Sequence, residues 1–118
     1  MGIVRVILQG KTNDFPALVE LVKWGKAFVE ENEPGALAYE CFADEGSGSV
    51  AWHEMYKDED SFLAHVQKHS ENGILDDLMK IYEIERLTFL TKITDPRVEE
   101  VAGRFGTTKL YGIGGLAR

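Results

Sequence analysis

His65 and His69 stand four residues apart in SFLAHVQKH (61–69), a stretch that reads as helix, so both imidazoles fall on one helix face. A neutral imidazole near pH 7 takes a proton from a phenol or hydrogen-bonds a substrate oxygen. Removing a proton from a hydroquinone raises the electron density that direct reaction with oxygen requires. A histidine pair at this spacing is also half of a metal site. The position one turn further on is Gly73 and no third ligand stands nearby in sequence, so no metal is expected. The plainer readings put His65 at the edge of the helix's buried face, bonded to a neighbour, and His69 in solvent near the helix end.

Glu54 lies on a strand, where an inward carboxylate must be paired or hydrogen-bonded. It orients His65, as a carboxylate commonly fixes an imidazole tautomer, or it forms a salt bridge with Arg5 or Arg86. Glu40 reads as structural. Tyr39, Phe42, Trp52, Tyr56 and Phe62 make an aromatic set around the same elements; it suits a flat phenolic ligand and equally suits a plain core. Trp24 and Phe28 carry the same two readings. Cys41 has no adjacent cation or helix start in view, so nothing argues for an activated thiol.

These residues must be held by elements that the hydrophobic pattern marks out. Residues 3–10, IVRVILQG, form a strand apolar on both faces. Asn13 or Asp14 caps a helix of roughly 17 residues that ends near Asn32, with Glu33-Pro34-Gly35 as stop and turn. Residues 36–43 and 50–56 pair across the polar loop 44–49. Asp58 or Asp60 caps a second helix, beginning near Ser61 and running to about His69, and a short helix follows from Ile74 to Tyr82. Residues 85–93 form a fourth strand, a short helix runs from Asp95-Pro96 to about Arg104, and the tail is strand-like but rich in glycine. Gly112, Gly114 and Gly115 lack the strand-to-helix setting of a phosphate loop and read as a turn.

The order β-α-β-β-α-β is the ferredoxin-like arrangement of an α+β protein, with helices on one face of an antiparallel sheet. On the third strand Trp52, Glu54 and Tyr56 share one side while Ala51, His53 and Met55 share the other. Large side chains on both faces require a second cover, and a second copy of the sheet supplies it, which predicts a face-to-face homodimer.

The chain has 118 residues, which predicts a single domain, 1–118, able to bury a core without disulfides or metal staples. A net charge of −7 disfavours nucleic acid and an anionic membrane surface as partners. One cysteine fits a reducing cytoplasm. The N-terminus lacks the pattern of a signal peptide, Val6 breaks a myristoylation motif, and no apolar run reaches transmembrane length.

The segment EPGALAYECFADEGSGSVAWHEMYKDEDSFL (33–63), continuing into AHVQKH, resembles the central part of antibiotic biosynthesis monooxygenase domains. Their pattern is Pro-Gly, a strand with Tyr-Glu, a loop, a strand with aromatic-x-Glu, Asp-Glu, then Phe-x-x-His on a helix. The likeness spans roughly residues 3–93; residues 94–118 are an extension beyond the common core. It implies a dimeric α/β barrel with a pocket between sheet and helices. It places Phe62 and His65 at the Phe-x-x-His position, Glu54 at the strand glutamate and Glu40 after Tyr39. It implies oxidation of a quinol or similar phenol by molecular oxygen without cofactor. The expected catalytic residues are then His65 and Glu54, and the expected substrate-binding residues Tyr39, Trp52, Tyr56, Phe62 and His69, around a small aromatic molecule. Other members isomerise a small metabolite or have no known activity, so an isomerase, or a small-molecule-binding or stress-related dimer, stays open as the alternative. Haem-degrading members use a helix tryptophan where this chain has His65 and a haem-ligating histidine where it has Leu75, so haem is not expected.

Overall fold

In the computed structural model, which describes residues 2–105 and 107–116, the first β-branched run becomes β1 (Val4–Thr12). It is followed by α1 (Phe15–Asn32), β2 (Ala36–Asp44), β3 (Ser49–Tyr56), α2 (Glu59–Glu71), α3 (Ile74–Ile81), β4 (Tyr82–Phe89), α4 (Pro96–Gly103) and β5 (Thr107–Lys109). Strand order is β2-β3-β1-β4-β5, antiparallel except for the parallel β4·β5 pair. This is the ferredoxin-like α+β fold, with the expected four strands extended at one edge by a fifth.

Local chemistry sets the helix starts. The Asp14 carboxylate accepts from the backbone N–H of Ala17 at 3.1 Å, and that of Asp58 from Ser61 at 2.8 Å, so of each pair of candidate caps the structure uses Asp14 and Asp58. The fourth strand begins three residues earlier than its apolar run suggests. Tyr82 opposite Thr12 anchors its start, buried and with its hydroxyl donating to Leu8 O at 3.2 Å. A bulge at Gln9/Gly10 makes room, since a Cβ on Gly10 would lie 2.0 Å from the carbonyl oxygen of Glu83. Beyond Phe89 the chain leaves the sheet and is caught by Glu59, which accepts from Thr94 N (2.8 Å), Thr94 Oγ1 (2.6 Å) and Asp95 N (3.1 Å).

Val50, Trp52, Glu54 and Tyr56 point to the buried face, as their spacing requires, and Ala51, His53 and Met55 to the other. Two apolar clusters occupy the helix-covered face. Val4, Val6, Tyr56, Phe62, Leu87 and Phe89 pack with Val98 and Val101 of α4. Leu18, Val50, Trp52, Leu78 and Tyr82 join α1 and α3 to the sheet. Leu8 touches both clusters. Among the described residues no helix is long and apolar enough to cross a membrane.

Candidate functional site

A cavity of about 90 Å³ lies between the two clusters. Its apolar wall includes Val6, Leu8, Leu78 and Leu87, with Val101 and Phe105 from the C-terminal extension at one end. Its polar wall comes from Tyr39, Trp52, Glu54, His65 and His69.

Two helix ends meet here. α1 stops at Asn32, and Glu33 follows as its C-cap, with its N–H donating to Val29 O at 2.9 Å. α2 docks across that end: Lys68 Nζ donates to the Asn32 carbonyl at 2.6 Å, a cation on a helix C-terminus. Gly35 permits the approach, because a Cβ there would fall 2.2 Å from Ser61 Oγ. The docking sets the Glu33 carboxylate against the histidine face of α2.

His65 Nδ1 donates to Glu33 Oε1 at 2.8 Å, and both residues are buried. Its other nitrogen, Nε2, is left on the side of Glu54, whose Oε1 is 3.6 Å away. That oxygen is held by the Tyr56 hydroxyl, which donates at 2.5 Å. The Tyr39 ring packs on both imidazoles and on Trp52, with centroids 5.3–6.0 Å apart. Burial, then the Glu54 charge, raises the Tyr39 hydroxyl far above its usual range, and Tyr56 moves the same way for the same causes; both stay protonated, and Tyr56 serves as a donor to Glu54. His69 Nδ1 donates to the His65 carbonyl at 3.1 Å, and its ring stacks on His65 with centroids 3.9 Å apart. Burial, followed by the neighbouring His65, pushes the His69 pKa down to about 4, so the ring is neutral at pH 7.

The structure brings together most of the expected residues. Tyr39, Trp52, Glu54, Phe62, His65 and His69 all line the cavity. Tyr56 is not among the lining residues; it is fully buried and supports Glu54 from behind. Phe42 is 57% exposed on the opposite sheet face. His69 does not sit in solvent: it is 5% exposed, because α2 continues past it to Glu71 and turns it against α1. Glu54 pairs with neither Arg5 nor Arg86, and the closer carboxylate on His65 is Glu33. The reason given for setting a metal aside also fails, because Glu33 supplies from α1 the third ligand missing beside the pair: one ligand atom from each of Glu33, His65 and His69 lies within 4.8 Å of the others.

Sequence reasoning passed over Glu33, reading it as part of a turn. A signal was present: α1 ends in Glu30, Glu31 and Glu33 with no basic residue in its last turn, the reverse of what the helix dipole favours. An acid so placed needs a donor from elsewhere, and His65 is that donor.

No protein-family profile and no curated protein sequence matches the chain. Solved structures do match. MupZ from Pseudomonas fluorescens superposes with a TM-score of 0.71 at 15% identity, over 100% of this chain and 96% of that one. SnoaB, a cofactor-independent oxygenase from Streptomyces nogalater, gives 0.66 at 13% identity, over 80% and 97%. A candidate antibiotic biosynthesis monooxygenase from Caulobacter crescentus gives 0.65 at 19%, over 79% and 92%. The chain shares its fold with these proteins. α4 and β5 follow the β-α-β-β-α-β core, and Val101 and Phe105 from this part of the chain line the cavity.

Proposed function

We propose that the protein is an enzyme in which His65 Nε2 accepts a proton from a hydroxyl of a small aromatic molecule bound in the cavity, a quinol or similar phenol that molecular oxygen then oxidises. One oxygen atom enters the product and the other leaves as water. The observation that carries the reading is the buried 2.8 Å bond from His65 Nδ1 to Glu33, which fixes the tautomer and leaves Nε2 as the basic nitrogen beside the cavity. Glu54 stands next to Nε2 and favours the imidazolium once the proton has moved. Tyr39 and Trp52 supply flat surface for a ring. SnoaB, similar in fold, is a cofactor-independent oxygenase, which supports assigning the oxidising step to oxygen.

A second reading keeps the acid–base pair and drops the oxygen: an isomerase, or a protein that binds a small metabolite without turning it over. The cavity volume favours it. About 90 Å³ is well below the roughly 300 Å³ at which drug-sized ligand sites begin, so the ligand is a single ring or smaller unless the extension moves. The uncovered sheet face, with Ile7, Ala51 and Met55 half-buried at its centre, supports a homodimer, and the lone Cys41 supports a cytoplasmic site of action.

A screen of single-ring quinols in an oxygen electrode tests the assignment. Uptake above the uncatalysed rate with at least one of them is expected. Tight binding of a ring compound with no oxygen consumed would transfer the case to the second reading.

A further inference from the structure

The acid–base reading leaves part of the cluster unused. Two of its buried atoms, Glu33 Oε2 and His69 Nε2, have no hydrogen-bond partner. Both offer lone pairs, since His69 already gives its Nδ1 proton to the His65 carbonyl. What is missing is therefore a donor or a positive centre rather than another acceptor. Charge leads to the same place. Glu33 and Glu54 are both buried, and among the described residues neither has a lysine or arginine partner; their ion-pair partners there are imidazoles. Buried carboxylates are ordinarily paired or coordinate a metal. One dication balances the charge of two carboxylates.

We propose that Glu33, His65 and His69 form a three-ligand site for a zinc-like divalent cation. Two imidazoles four residues apart on one helix plus a carboxylate are a borderline donor set, suited to zinc rather than to calcium or magnesium. Ligand atoms around a tetrahedral zinc lie about 3.3 Å apart; His65 Nδ1 to Glu33 Oε1 at 2.8 Å and His69 Nδ1 to Glu33 Oε2 at 3.5 Å bracket that separation. A cation taken up at His69 Nδ1 would displace the proton that this nitrogen gives to the His65 carbonyl. Glu54, 3.6 Å from His65 Nε2, then stands behind a liganded imidazole as a supporting carboxylate. A cation on His65 Nδ1 leaves Nε2 protonated and ends its service as a base. Zinc is thus an inhibitor of the reaction proposed above; this inhibition rests on that reading, whereas the binding does not.

The test titrates zinc chloride into chelator-stripped protein by calorimetry, beside Glu33→Gln, His69→Gln and His53→Ala. One ion per chain is expected, with a Kd of about 1 μM or below. Binding should weaken by at least about 100-fold in the first two variants and stay unchanged in His53→Ala, which removes the exposed His53–Glu40 pair. Circular dichroism separates lost binding from lost folding. Cobalt(II) added to the wild type gives a readout free of variants, the visible bands of a four- or five-coordinate ion. No zinc heat and no cobalt bands would overturn the proposal, and so would binding lost in His53→Ala alone. Because these readouts need no substrate, failure of the quinol chemistry leaves them intact.

Discussion

At the residue scale, the site depends on one carboxylate fixing one imidazole. Glu33 holds His65 Nδ1 at 2.8 Å, and Tyr56 holds Glu54 on the other side, so the tautomer is set before any ligand arrives. Cys41 shows the opposite use of burial. Half-buried on β2 opposite Trp52, its thiol is pushed up to about 12, first by desolvation and then by the Glu54 charge, and it stays protonated at any ordinary pH. Iodoacetamide at pH 8 should therefore alkylate the native protein far more slowly than the urea-unfolded chain. Equal rates in the two states would show that the thiol is not shielded by the fold.

At the scale of elements, the contact that builds the site is the docking of α2 across the end of α1, and Gly35 is its tightest point. Gly35→Ala should push the turn away from Ser61 and destabilise the protein by about 1–3 kcal/mol, as overpacking does. Adding Ser61→Gly, which removes both clashing atoms at a small helix-propensity cost, should recover part of the loss in urea unfolding. If Gly35→Ala is neutral, the turn does not fix Glu33. This contact also marks how far the sequence can be read. The histidine spacing, the inward side of β3 and the helix caps were legible, because each follows from a local period or a neighbouring donor. Glu33 was not, because its partner lies 32 residues away and only the packing of two helices joins them. His69 looked solvated for the same reason: the end of a helix is exposed unless another element covers it. The early start of β4 came from the bulge at Gly10, which no periodicity signals.

For the whole molecule, the helices cover one sheet face and leave the other uncovered in a single chain, which predicts a homodimer. The chain weighs 13.2 kDa, so light scattering at micromolar concentration should report about 26 kDa. A sheet-to-sheet interface should exceed roughly 1,000 Å². A clean monomer would mean that the half-exposed Ile7, Ala51 and Met55 need no cover. The extension is the other whole-molecule feature: α4 is tied to α2 through Arg97 with Asp60 and through Glu59 with Thr94, and it gives Val101 and Phe105 to the cavity wall. The central claim, that His65 is the proton acceptor, is tested most directly by oxygen uptake with an active quinol, comparing the wild type with His65→Ala at matched circular dichroism. The account predicts a fall of roughly 10²–10⁴ in turnover; full activity in His65→Ala on that substrate would contradict it.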